Sequence, residues 1–225
     1  MGLICCGIFL YSIIVSDLFP ARDFDHWAAT YDAQVALADG FPFEGYAAVL
    51  DKILAEAEAC PGMHVLDLGA GTGNLTAKFA DLGCELWCVD FSLLMLLRTK
   101  AKLSGVRCLL ADLRLPLPFS VSRRFDCVIS AYTFHHFDLA QKVKLVCDLL
   151  RCFVVRGGRL VIGDIAFGDS TAQEHTRETV GERWEEEYYW IADEAIPALR
   201  FVGVEARYFP MSFCNGVFVI QESKG

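Results

Sequence analysis

The chain has 225 residues, 54% of them hydrophobic, enough to fill one core of the size usual for single α/β domains of roughly 200 to 250 residues. Its 29 acidic residues outnumber 20 basic ones, and the net charge of -9 opposes binding to a long phosphate backbone and argues against a nucleic-acid partner. Ten cysteines in such a length fall well short of the ~8 to 10% that marks a disulfide-built scaffold, so reduced, buried thiols are expected.

The first twenty-two residues stand apart. Leu3 to Val15 is a nearly continuous apolar run, shorter than the ~20 residues a membrane helix needs. It lacks the basic residues that open a secretory signal, the first being Arg22. Cys6 stands where a myristoylation motif has Ser or Thr. The segment 1–22 is read as a partner-binding helix or as residues ahead of the true start codon. Membrane contact through residues 3–15 is disfavoured without being excluded, and a cytoplasmic location is expected.

Residues 23–225 read as one domain. From Asp25 to Ala59, Trp27, Tyr31, Val35, Tyr46, Val49, Leu50, Ile53 and Leu54 recur three or four apart, the spacing of a helix face. Gly40-Phe41-Pro42 divides them into two helices, so 23–60 is expected to form a helical cap. Val65-Leu66-Asp67-Leu68 then reads as a strand running into Gly69-Ala70-Gly71-Thr72-Gly73-Asn74, and a helix follows over 75–82. Strands are expected at 85–90, 106–111, 125–131 and, after a turn at Arg156-Gly157, 158–164. Arg123-Arg124 falls in the turn before 125. An amphipathic helical insertion is expected over 165–199, with two closing strands at 203–208 and 216–221.

The glycine turn carries the chemistry. Gly69 and Gly71 remove Cβ atoms, permit φ > 0 and aim main-chain amides at a ligand. A dinucleotide fingerprint is G-x-G-x-x-G; here the spacing is G-x-G-x-G, with Asn74 where the third glycine of that fingerprint belongs. The carboxylate of Asp67 favours a cofactor bearing a cationic amine over an anionic pyrophosphate. The segment resembles motif I of the class I S-adenosylmethionine-dependent methyltransferases.

That resemblance spans roughly residues 24–222 and implies a Rossmann-like α/β fold, with a mostly parallel seven-stranded sheet, helices on both faces and an antiparallel last strand. Asp90 ends the second strand, where α/β nucleotide folds hold ribose hydroxyls. Asp112 follows the third and matches the family's acidic residue near the adenine amino group. Trp27 to Asp32, His135-His136, Asp164 to Phe167 and Glu187-Tyr188-Tyr189 are together similar to the YrrT-type bacterial methyltransferases. The resemblance implies S-adenosylmethionine as cofactor and S-adenosylhomocysteine as product, bound by Asp67, Gly69, Gly71, Asp90 and Asp112, with Tyr31 as an aromatic lid.

Imidazole titrates near neutrality, so His135 is the candidate catalytic base, set against a structural role holding a carbonyl or stacking on the cofactor. His136, Tyr188 and Tyr189 are candidate acceptor contacts; Asp164 caps a turn. No C-x-x-C occurs, and the pairs Cys84/Cys88 and Cys147/Cys152 lack zinc-ligand companions, so no metal is expected. Strand four ends in Ser130-Ala131-Tyr132-Thr133, without the Asn/Asp-Pro-Pro-aromatic signature of amino-group methylation, which favours a small-molecule acceptor. The competing readings are a non-catalytic S-adenosylmethionine-binding protein and a nicotinamide-dependent oxidoreductase.

Overall fold

The computed structural model describes residues 4–5, 8–10, 21–117 and 124–223. In chain order the elements are β1 (Ile4–Cys5), β2 (Ile8–Leu10), α1 (Ala21–Trp27), α2 (Tyr31–Leu37), α3 (Tyr46–Glu56), β3 (His64–Leu68), α4 (Asn74–Asp81), β4 (Glu85–Asp90), α5 (Leu93–Lys102), β5 (Arg107–Leu110) and β6 (Phe125–Ala131). There follow α6 (Leu139–Phe153), β7 (Val154–Phe167), α7 (Ser170–Val180), β8 (Trp190–Ile191), α8 (Ala192–Phe201), β9 (Val204–Pro210) and β10 (Asn215–Glu222). One sheet runs β1-β2-β5-β4-β3-β6-β7-β10-β9. Strands β2 to β7 along this path pair in parallel, and β10 lies antiparallel between β7 and β9.

The order follows from burial. A parallel sheet is covered on both faces, so its strands are apolar at consecutive positions; Val65, Leu66 and Leu68 of β3 are all fully buried. Leu66 and Leu68 pack with Val146, Leu149 and Phe153 of α6 and Ala195 and Leu199 of α8. Val65 joins the opposite core with Val49, Leu50 and Ile53 of α3, Phe79 of α4 and Leu96 of α5. The chain steps outward from β3 through β4 to β5 and then returns to β6 on the other side. That reversal opens a crevice beyond the carboxyl ends of β3, β4 and β6.

Two local readings differ. Residues 8–10 form a strand parallel to β5, pairing Ile8 with Cys108 and Leu10 with Leu110, where the sequence reading had a helix. The reason is twofold: β5 would otherwise present a row of unpaired amides and carbonyls, and Ile-Phe-Leu suits a strand. The expected turn at Arg156-Gly157 lies inside β7, where the ladder with β6 slips register after Phe125. Of the Arg123-Arg124 pair, Arg123 lies outside the described residues, and Arg124 donates to the Val154 carbonyl.

The helical insertion is interrupted as well. After α7 a short 3-10 turn at Gly181–Arg183 leads into an extended segment from Trp184 to β8. Tertiary contacts override the helical pattern there. The Tyr188 amide donates to the His135 carbonyl (2.9 Å), β8 pairs with the end of β7, and the fully buried Trp190 lies against Phe134 and Phe218. Cys88, Cys108, Cys127 and Cys214 are buried free thiols, as expected. No helix among the described residues is long and apolar enough to cross a membrane.

Candidate functional site

A cavity of about 580 Å³ occupies the crevice, within the usual range of ~300 to 1,000 Å³ for small-molecule sites. Its floor is the glycine turn. Gly69 and Ala70 both donate to the Val89 carbonyl (2.8 and 3.0 Å), which docks the turn on β4, and Thr99 Oγ1 donates to the Gly71 carbonyl (2.7 Å). Gly69 has φ +67°, and a Cβ there would fall 2.0 Å from Thr133 Oγ1. Gly71 has φ +54° with open space where its Cβ would be, so that side of the turn is bare main chain.

Gly69→Ala therefore combines a left-handed backbone with a clash, and is expected to destabilise the fold by about 1 to 3 kcal/mol. Thermal unfolding checks this, and Thr133→Ala in the same chain should recover part of the loss. An unchanged midpoint would show that the turn relaxes freely.

The three acidic strand ends converge on this floor. Asp67 is fully buried, and Thr76 Oγ1 donates to its Oδ2 (2.5 Å), while Oδ1 has no hydrogen-bond partner. Burial pushes its pKa up to about 7, and the neighbouring Asp90 adds to the rise. Asp90 accepts from the amides of Gly71 and Ser92 (both 2.8 Å); burial raises its pKa to about 6 against the lowering effect of those amides. Asp112 also lines the cavity, but both of its oxygens hold the Arg114 guanidinium, at 2.8 Å to Nε and 2.6 Å to Nη2. Arg114, two residues along, was not anticipated.

The helical cap roofs the cavity and is pinned at two points. Asp25 of α1 accepts from Ser92 Oγ (2.5 Å) at the start of α5. Asp32 of α2 accepts from Thr72 Oγ1 (2.6 Å) in the glycine turn and Lys102 Nζ (3.0 Å). Tyr31 lines the cavity edge-on to Trp27, ring centroids 4.8 Å apart, and the wall continues through Phe43, Tyr46 and Tyr132. Tyr132 sits at φ +53°, a conformation that costs a bulky residue of order 1 to 3 kcal/mol. Its buried hydroxyl has no hydrogen-bond partner.

The cavity also has a polar end. Asp164, fully buried at the end of β7, accepts from the His135 amide (2.9 Å) and faces His135 Nδ1 at 2.6 Å. This contact leaves Nε2 toward Glu187 Oε2, 3.9 Å away. Burial disfavours the charged imidazole, but Asp164 and Glu187 outweigh it and hold the pKa of His135 above its ordinary value. His136 goes the other way: burial, with repulsion from His135, pushes it down to about 2. Behind them the buried Lys142 donates to the Tyr188 carbonyl, and its pKa falls to about 8 on burial.

His135 and His136 thus both line the cavity, whereas Tyr188 and Tyr189 do not. In the extended segment Tyr188 is half exposed, and Tyr189 is packed among Phe41, Phe167 and Trp184. Glu185 and Glu187 line the cavity from this segment instead. Glu187 is part of the family resemblance together with Tyr188 and Tyr189, but by pattern alone a run of three glutamates reads as a solvated helix face.

A family profile described as "Methyltransferase domain" matches residues 65–157. An uncharacterised methyltransferase of Geobacillus thermodenitrificans is 32% identical over 187 residues, covering 76% of this chain and 81% of the relative. The chain belongs to the class I S-adenosylmethionine-dependent methyltransferases. This methyltransferase is also 38% identical over 125 residues to the uncharacterised methyltransferase YrrT of Bacillus subtilis, covering 53% of this chain and 55% of that one. Its fold is shared with a structure titled DhpI-SAH complex, at TM-score 0.68 and 18% identity, covering 91% of this chain and 96% of the other.

Proposed function

We propose that this methyltransferase transfers the methyl group of S-adenosylmethionine to a small-molecule acceptor. The observation that carries the reading is the pairing of one orphaned buried acceptor, Asp67 Oδ1, with the bare main chain of Gly71 in a single cavity. A buried carboxylate oxygen without a donor is costly, and the α-amino group of the cofactor would supply one. Asp90 would receive the ribose hydroxyls on the carboxylate that already holds the Gly71 amide. Asp112, with its charge shared by Arg114, would stand near the adenine. Tyr31 would cover the methionine end, where an aromatic face attracts the sulfonium.

Methyl transfer needs alignment more than covalent help from the protein, and orientation can supply about 7 to 11 kcal/mol of the barrier. In the transfer the acceptor lone pair forms the new bond to carbon as the sulfur–carbon bond breaks, and the sulfonium becomes a neutral thioether. The aromatic wall and the His135–Glu187 end line the same cavity, so an acceptor bound there would meet both. His135 acts on it through Nε2, oriented by Asp164, and helps an ionisable acceptor shed its proton. The acidic chain and the helical cap over the cavity support a small molecule over a polymer.

Labelled methyl transfer into a metabolite extract tests the reading. A labelled small product is expected; binding of S-adenosylhomocysteine with no labelled product in any extract would favour a non-catalytic role. Binding of NADH without S-adenosylhomocysteine would favour the nicotinamide reading.

A pH dependence follows from the carboxylates. With pKa values raised to about 7 and about 6, Asp67 and Asp90 are protonated at pH 5, and the α-ammonium group and ribose hydroxyl donors of the ligand favour their ionised forms. Affinity for S-adenosylhomocysteine should therefore rise between pH 6 and 8, with protons released on binding. Calorimetry in buffers of different ionisation enthalpy reads the proton count, and a count of zero at about pH 6.5 would remove both groups from the site.

A further inference from the structure

His135, His136 and Glu187 each offer a ligand atom, and these atoms all lie within 4.8 Å of one another. Two imidazoles and one carboxylate with open positions form a donor set suited to divalent first-row ions. Glu187 presents Oε1 to His136 Nδ1 at 3.6 Å and Oε2 to His135 Nε2 at 3.9 Å. Ligands about 2.1 Å from a shared ion stand roughly 3.0 to 3.5 Å apart, so side-chain movements of about 1 to 2 Å would close the set.

Two further features distinguish this cluster from a chance grouping. All three side chains are largely withdrawn from solvent, with 10 to 17% of their surface exposed, yet they line the cavity. Asp164 also supplies the outer carboxylate that metal-binding histidines typically have: it binds Nδ1 of His135, fixes the ring and leaves Nε2 for an ion.

We propose that His135, His136 and Glu187 bind one divalent transition-metal ion at the acceptor end, and that the ion coordinates an acceptor through adjacent oxygens, as in a diol or a hydroxy-carbonyl compound. The proposal rests on the reading that methyl transfer occurs in this cavity. His135 then acts on the acceptor through the ion. Coordination acidifies the acceptor hydroxyl, whose proton leaves to solvent water. The oxygen lone pair then forms the bond to the methyl carbon, the sulfur–carbon bond breaks, and S-adenosylhomocysteine is left as a neutral thioether.

The test is a Co²⁺ titration of chelator-treated protein, with and without S-adenosylhomocysteine, read by visible absorption and by metal analysis. One equivalent should bind. His136→Ala and Glu187→Gln should each weaken Co²⁺ by at least about tenfold, and Asp164→Asn by about 10- to 100-fold, while S-adenosylhomocysteine affinity holds in all three. A protein that binds S-adenosylhomocysteine but takes up no stoichiometric Co²⁺ overturns the metal site and leaves the methyltransferase reading standing. Co²⁺ affinity unchanged in the variants also overturns it, because the ion then sits elsewhere. Loss of S-adenosylhomocysteine binding in the unmodified protein counts against the cofactor reading instead, while the Co²⁺ readout still judges the site.

Discussion

Replacing His135 with alanine should lower the rate of labelled methyl transfer by about 10²- to 10⁴-fold, the range associated with a positioned group that assists proton departure. The affinity for S-adenosylhomocysteine should change little, because the side-chain partners of His135 are Asp164 and Glu187 rather than the carboxylates of Asp67 and Asp90. Its orientation depends on Asp164, which holds both the His135 amide and Nδ1. Asp164→Asn should therefore share much of the rate loss, since an amide can pair with the ring in a tautomer that places hydrogen on Nε2. The measurement is turnover together with cofactor affinity on the same preparations. Full turnover in His135→Ala would return the residue to a structural role.

Asp90→Ala should weaken S-adenosylhomocysteine binding by at least about tenfold, and more if the glycine turn loosens, because removing one partner leaves buried groups unsatisfied at about 1 to 3 kcal/mol. The carboxylate serves two ends at once. It accepts from the amides of Gly71 and Ser92, fixing the turn and the start of α5, and it faces the cavity where the ribose is proposed to lie. Asp90→Asn keeps the shape and an acceptor oxygen, so it should lose less affinity than alanine. Titration calorimetry decides the matter, and an unchanged dissociation constant in the alanine variant would take Asp90 out of the cofactor site.

The central architecture was legible because it rests on local pattern. The strands at 85–90 and 125–131 appear with those bounds, since buried parallel strands are apolar runs bracketed by turn residues. Motif I was legible for a related reason: its glycines answer to main-chain geometry, which sequence states directly. Less legible were places where a residue's neighbours come from far along the chain. The salt link of Asp112 to Arg114 is local in sequence, yet nothing in the letters says that this carboxylate is already occupied. The pinning of Asp32 to Thr72 and Lys102 joins segments that no short-range periodicity connects.

The 165–199 region shows the division most clearly. Its spacing favours a helix throughout, and α7 and α8 follow it, but between them the pairing of Trp190 with Ala166 and the burial of Trp190 keep the chain out of a helix. That stretch turns Glu187 toward His135 and leaves Tyr188 half exposed, the reverse of the acceptor contacts expected from sequence. By itself the sequence determined the succession of strands around the glycine turn and the acidic tips of β3, β4 and β5, because each follows from spacing within a few residues, and the resemblance of these residues to motif I pointed to the family. Only the tertiary structure decided which side chains meet at the acceptor end, because long-range burial there outweighs a helical preference worth at most a few tenths of a kcal/mol per residue.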